Sequence, residues 1–415
     1  MRILLGAQSC GFGPAAKLTA ISRVLDGHHR VCVGTTVAED FARRNADAFD
    51  EVIEITDRDV LHSQIMSADW VVSVMDADLV FRAVAAGRSV LLVDSLLAFW
   101  KLDKSPERIA ELCERALRSR FSAWEHDLAE LSSHERMYAA HIVADASMAQ
   151  VFPGTAERAA TLHALGAARV FLAGPIVDES ALVDSPHEGD GVDLLINTGG
   201  FKNFLLDYHH HNAYLSLMAR WVPDLMADWP QFGSILVCGG SYGGTRATSV
   251  SREGRVAVFR CLHQRSFIPA VASARHYLAT PGLTAIHEAL LLGRFPMALP
   301  EQHYGHICNL TALKGLLFER HGARFAELIK DYEVPADDFD GTAAIVRHVG
   351  RVIEDQEAYA RFRRGMNERV EAYVALDAAA RAEGVAELRS LLRGPSFSAL
   401  LTQLVPMPAD HLVRD

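Results

Sequence analysis

Hydrophobic positions in the first half of the chain gather into short runs separated by segments of helical spacing. "RILLGA" (2–7), "RVCVGTT" (30–36), "EVIEI" (51–55), "WVVSVM" (70–75) and "SVLLVDS" (89–95) have the length and continuity of strands covered on both faces. "HIVADAS" (141–147) and "RVFLAGPIV" (169–177) continue the series. Between the first two runs, Pro14 suits a first helical turn, Leu18, Ile21 and Leu25 share one helical face, and Gly27 stands where a helix stops. Strands alternating with helices predict a mostly parallel sheet with helices on both faces.

The pattern then breaks and restarts. "DESALVDSPHEGDG" (178–191) is acidic, carries Pro and Gly and has few large apolar residues, which reads as a linker. Beyond it, "VDLLINTGG" (192–200), "SILVCGG" (234–240), "RVAVFR" (255–260) and "HYLAT" (276–280) are strand-like, and "AYLSLMARWVPDLM" (213–226) is helix-like. The C-terminal stretch that includes "VEAYVALDAAARAEGVAELRSLL" predicts amphipathic helices. The expected fold is α/β: two doubly wound, Rossmann-like domains facing a cleft, at 1–182 and 190–395, with a tail at 396–415.

Composition narrows the possible functions. A chain of 415 residues, 50% hydrophobic and 22% charged, suffices for more than one core. The net charge of -11, without a dense Lys/Arg run, argues against a nucleic-acid polymer as partner. Six cysteines without CxxC spacing suit free thiols in a reducing compartment and imply no metal site. The opening apolar run is too short for the core of a signal peptide, and no apolar run reaches the ~18 residues of a membrane span. A cytoplasmic protein is expected.

The candidate chemistry lies in "TPGLTAIHEALLLG" (280–293), a strand end, a glycine and a helix. The free N–H groups of a helix start attract anions at the carboxyl ends of the strands of an open α/β sheet. Gly282 would let a diphosphate approach the amides of Leu283 and Thr284. Glu288, four residues beyond Thr284 and on the same face, could accept hydrogen bonds from two ribose hydroxyls. The plainer alternative is a solvated glutamate after a glycine turn.

Gly282, Thr284, Glu288, Gly293, Pro296, Pro300 and Asn309 together resemble the donor-binding motif of GT-B glycosyltransferases. The resemblance implies that the helix amides hold the diphosphate of a UDP-sugar and that Glu288 holds its ribose. Family members place a glutamine three residues before the asparagine to contact the donor sugar; here that position is His306, and Gln302 lies four residues earlier. An imidazole could pair with the carboxylate of a uronic acid sugar, or could be an ordinary loop histidine. The family holds uracil by backbone groups in the loop after the strand of "RVAVFRCLHQRSFIP", which makes Arg260, Phe267 and Ile268 candidates, although Phe267 also suits a core. Arg246 in "SYGGTR" (241–246) could face the phosphates or lie in a flexible loop.

In the first domain, "GAQSCGFGPAAKL" matches the family's glycine-rich loop, where Gly11 and Gly13 allow close backbone approach and Phe12 is a candidate acceptor contact. Many relatives carry a catalytic histidine in this loop, and this chain has none there. Asp94, at a strand end, is the alternative general base, or else the cap of a following helix. Trp100 could stack on an acceptor or belong to the core.

The sequence is also similar to cytosylglucuronate synthases of nucleoside-antibiotic pathways, in "ILLGAQSCGFGPAAKLTAISRVL" and "HYLATPGLTAIHEALLLGRFPMALP". That resemblance implies transfer of glucuronate from UDP-glucuronate to cytosine. The expected activity is inverting, metal-independent transfer from a UDP-sugar to a small acceptor, with no cofactor. A UDP-sugar epimerase of the same fold expects several acids, bases and arginines around the sugar, a set that "ALPEQHYGH" does not match. An NAD enzyme expects a third glycine after "GFG" and an acid after "RVCVGTT". A silent, transferase-like partner remains a further alternative. "YHHHN" (208–212) is discounted as a metal site, because consecutive helical side chains diverge, and "DAD" (76–78) is read as a helix start.

Overall fold

The computed structural model describes residues 1–405 apart from 120, 122, 168, 182–190, 201–211 and 241–246, so Arg246 and most of "YHHHN" lie outside the described residues. The chain forms two compact units. Met1–Cys10, Pro14–Asp178 and residues from Leu391 onward make the first; Gly11–Gly13 and Glu179–Ser390 make the second.

The first unit holds strands β1 (Arg2–Ala7), β2 (His29–Gly34), β3 (Glu51–Glu54), β4 (Trp70–Val74), β5 (Ser89–Asp94), β6 (Ala146–Gln150) and β7 (Val170–Ala173). Their order is β3-β2-β1-β4-β5-β6-β7, and every pairing is parallel. The continuous apolar runs are the buried strands: Ile3, Leu4 and Leu5 of β1 and Val90 to Val93 of β5 are wholly inaccessible. Gly6 is there for packing, since a Cβ would come within 2.4 Å of Leu79 Cδ2.

One predicted strand is displaced. "HIVADAS" begins inside the helix Ser133–Val143, and β6 starts only at Ala146. A capping box explains the shift: Ser132 Oγ accepts the Glu135 N–H while the Glu135 carboxylate accepts the Ser132 N–H, which starts a helix that runs through His141. "DAD" is a helix start as expected, with the Leu79 N–H donating to Asp76 Oδ1.

The segment set apart as a tail is part of the first core. Helix Phe397–Leu404 buries Phe397, Leu401 and Leu404 among the residues of the first sheet, and Gly174 N–H donates to Pro395 O (2.7 Å).

The second unit holds β8 (Leu194–Asn197), β9 (Ser234–Cys238), β10 (Thr248–Arg252), β11 (Arg255–Arg260), β12 (His276–Ala279) and β13 (Met297–Ala298). Their order is β10-β11-β9-β8-β12-β13, parallel except for the β10–β11 hairpin. β10, "TSVSR", is a largely exposed edge strand whose polar run carries no strand signal. Leu195 of β8, Tyr277 and Ala279 of β12, and Ala285 and Ala289 of helix Leu283–Leu291 meet in one apolar cluster. The expected C-terminal helices are present at Asp338–Glu354, Gln356–Val374 and Ala378–Leu392. Among the described residues no helix is long and apolar enough to cross a membrane.

Candidate functional site

In the second sheet the chain builds outward from β8 on one side, then returns to place β12 on the other. Adjacent strands whose connections leave in opposite directions open a crevice at their carboxyl ends. Asn197 and Ala279 are register partners at that edge. Asn197 Oδ1 accepts the Gly199 N–H (2.9 Å), and its Nδ2 donates to Tyr277 Oη (3.1 Å). Gly199 has φ +63° and Gly239 φ +106°, and a Cβ on Gly239 would fall 2.3 Å from Gly199 O. The turns after β8 and β9 therefore meet backbone to backbone, as only glycines allow.

After β12 the chain passes through Thr280, Pro281 and Gly282 into helix Leu283–Leu291. The N-cap residue, Gly282, offers no side chain to cap this helix, and a helix start of this kind directs N–H groups outward. Asn309 Nδ2 pins the turn by donating to Pro281 O (2.7 Å), and Gly282 N–H turns back to Thr280 O (2.7 Å). Gly282 has an ordinary φ of -83°, and a Cβ there would lie 3.5 Å from His306 Nε2, a normal contact. Protein atoms do not demand glycine here; glycine keeps open the space before the first turn.

Polar groups surround that space. His306 Nδ1 accepts the Gln302 N–H (3.2 Å), and its ring lies 3.8 Å, centroid to centroid, from His303. Gln302 Nε2 and Asn309 Oδ1 are buried with no hydrogen-bond partner. An unmet buried polar atom costs about 1–3 kcal/mol; Asn309 stands at the turn before the helix, and Gln302 Oε1 lies 4.0 Å from where a Cβ on Gly199 would be. Glu288, Gln302 and His306, three candidates from sequence, are all buried in this unit.

Glu288 is not a solvated helix residue. It is 3% exposed, and its Oε1 accepts from Gln264 Nε2 at 2.5 Å. Burial and the Glu288 charge together push the Tyr277 phenol well above its ordinary value. The role of Gln264 was invisible in the sequence, because the pair is 24 residues apart and no local spacing signals it.

The proposed uracil loop is shorter than expected. Phe267 and Ile268 lie within helix Gln264–Ser273; Phe267 N–H donates to His263 O (3.0 Å), Ile268 is wholly buried, and Phe267 packs on the apolar cluster. A helical backbone has no free edge to offer a base, which removes Phe267 and Ile268 as backbone contacts. Arg260 stays exposed at the end of β11.

The glycine loop Gly11–Gly13 belongs to the second unit. Phe12 N–H donates to Gly200 O (2.7 Å), and its ring is so close that a Cβ on Gly200 would lie 2.4 Å from it. Thr284 Oγ1 donates to Gly13 O (3.5 Å). The loop is thus tied to the helix start, with Phe12 packed on a glycine.

Trp100 is the core residue that its sequence also allowed, and Asp94 lies buried against it. Asp94 is wholly buried: Oδ2 accepts from Trp100 Nε1 (2.6 Å) and pairs with His141 Nε2 (2.9 Å), while Oδ1 accepts the Leu96 N–H (2.7 Å). His141 Nδ1 is hydrogen-bonded to Ser147 Oγ (2.9 Å). Both carboxylate oxygens are engaged inside the first core, which corrects the assignment of Asp94 as general base. Trp100 is buried beside His134 with its N–H on Asp94, which removes it as an open acceptor platform. Among the described residues, no cluster of His, Cys, Asp and Glu is arranged to hold a metal ion.

The two adjoining histidines give a pH prediction. Burial lowers His303 from 6.5 to about 4, and burial with its neighbour His303 takes His306 well below 6.5. Both stay neutral when folded and gain protons only on unfolding. Stability is therefore complete above about pH 6.5 and falls as pH drops toward 4, by up to ~1.4 kcal/mol per pH unit for each ring. Urea unfolding followed from pH 7.5 to 5 should show this slope, and His303→Asn should flatten it; an identical slope in that variant contradicts the assignment.

No family model matches the chain, and no curated protein matches it in sequence. Solved structures do resemble it over nearly their full lengths. A UDP-glucosyltransferase from Polygonum tinctorium that glucosylates indoxyl is 13% identical, covering 95% of this chain and 98% of that one, with a TM-score of 0.42. Os79 from O. sativa, solved with U2F and trichothecene, is 12% identical over 95% of this chain and 100% of that one (TM-score 0.47). The glycotransferase of kitacinnamycin is 13% identical over 98% of both chains (TM-score 0.45). Likenesses of this degree do not decide an activity, which must come from this chain's own residues.

Proposed function

We propose that the protein is an inverting, metal-independent glycosyltransferase that moves a sugar from a UDP-sugar to a small acceptor. One observation carries this reading: at the reversal point of the second sheet, a helix start without a side-chain cap has the buried, unpartnered Oδ1 of Asn309 at its turn and the buried carboxylate of Glu288 in the same helix. The amides of Leu283 and Thr284 would hold the diphosphate and stabilise the charge that grows on it as the glycosidic bond breaks. Glu288, steadied by Gln264, would accept the ribose hydroxyls. An acceptor nucleophile attacking from the opposite face would invert the anomeric centre.

For the finer assignment, we take UDP-glucuronate and cytosine as donor and acceptor, on the sequence resemblance to cytosylglucuronate synthases. Calorimetric titration with UDP, UDP-glucuronate and UDP-glucose, followed by incubation of the tightest donor with cytosine and mass analysis, tests both levels. A cytosine conjugate supports the finer assignment. UDP binding without that product leaves a transferase with another acceptor or a silent partner, and absence of UDP binding defeats the reading.

A further inference from the structure

His306 has a fixed tautomer. The Gln302 N–H points at Nδ1, so Nδ1 presents its lone pair, and a neutral ring must then carry its proton on Nε2. That Nε2 is the atom that faces Gly282, 3.5 Å from where a Cβ would stand. The turn it faces is held by Asn309 through Pro281 O, so donor and helix start keep one geometry. The ring is buried, with the His303 ring 3.8 Å away centroid to centroid, and burial keeps both rings neutral.

Resting on the reading that this helix start receives the diphosphate, we infer that His306 acts as a neutral hydrogen-bond donor to that diphosphate through Nε2–H, oriented by the backbone of Gln302. Its contribution is a directed N–H and not a cation. It supplements the Leu283 and Thr284 amides at a point the helix itself does not reach. The role differs from a charged partner for a sugar carboxylate: a uronate would meet an N–H here and no balancing charge. It also specifies which substitute works. A glutamine side chain can place an amide N–H close to the Nε2 position, whereas alanine cannot.

The test compares UDP with uridine, which lacks phosphate, on the full-length wild type, His306→Ala and His306→Gln, with UDP followed by calorimetry and uridine by ligand-observed NMR. His306→Ala should weaken UDP about tenfold, the size expected for a hydrogen bond to a charged group, and leave uridine unchanged. His306→Gln should return UDP affinity to within about threefold of wild type. Nitrogen-15 spectra of the wild type at pH 7.5 should show His306 protonated at Nε2 and bare at Nδ1, a readout that does not depend on any variant folding. Equal losses for UDP and uridine, unchanged UDP affinity in His306→Ala, or a proton on Nδ1 each overturn the inference. When the wild type binds UDP and Glu288→Ala weakens it, such a result removes His306 alone; a wild type that binds no UDP removes the donor site and this role with it.

Discussion

Glu288→Ala weakens UDP binding by about thirtyfold to a hundredfold. On the proposed donor site, two ribose hydroxyls lose their acceptor, each bond worth about 1–1.4 kcal/mol in a desolvated place, and these losses multiply in the affinity. The same variant removes one hydrogen bond of Gln264, so a modest fall in stability accompanies it. The two effects separate with 2′-deoxy-UDP. If Glu288 holds the ribose, removing either the hydroxyl or the carboxylate weakens binding, and removing both adds little beyond one, as expected of groups that touch. Calorimetry on the four combinations decides the matter: unchanged UDP affinity in Glu288→Ala, or losses that simply add, would sink the ribose assignment.

Asp94→Ala should lower the thermal transition of the first unit by about 10 °C, from a loss near 3–5 kcal/mol. The carboxylate joins Trp100, Leu96 and His141, and its removal leaves the buried Trp100 and His141 rings and the part-buried Leu96 N–H facing a void. Asp94→Asn should also destabilise, because an amide must turn donors toward groups that already donate. A scanning-calorimetry transition that does not move in either variant, together with lost turnover, would restore Asp94 to catalysis and refute the buried-anchor account.

These two carboxylates show why a sequence discloses some sites and hides others. Strands β1, β2, β4 and β5 were legible because full burial of a parallel sheet writes itself as continuous apolar letters. The 283–291 helix was legible because a strand, a glycine and a helix in succession leave a local signature. Asp94 misled because a carboxylate at a strand end looks the same in one dimension whether it faces solvent or a buried indole; the deciding residue, His141, lies 47 positions away. Phe267 and Ile268 misled similarly, since the onset of the helix at Gln264 has no side-chain cap to announce it. Gln264 escaped notice because its partner is reached only through the folded sheet.

The helix at Phe397–Leu404 gives the chain an unusual order of completion. The first sheet is synthesised first, yet part of its core comes from residues made more than two hundred positions after its last strand. During synthesis, the second unit has all its strands before the first has its last buried side chains. Residues 1–178 made alone would expose the surface that Phe397, Leu401 and Leu404 cover, and would be prone to self-association. A chain extended only to Ser390 therefore holds the whole second unit while the first still lacks Phe397, Leu401 and Leu404.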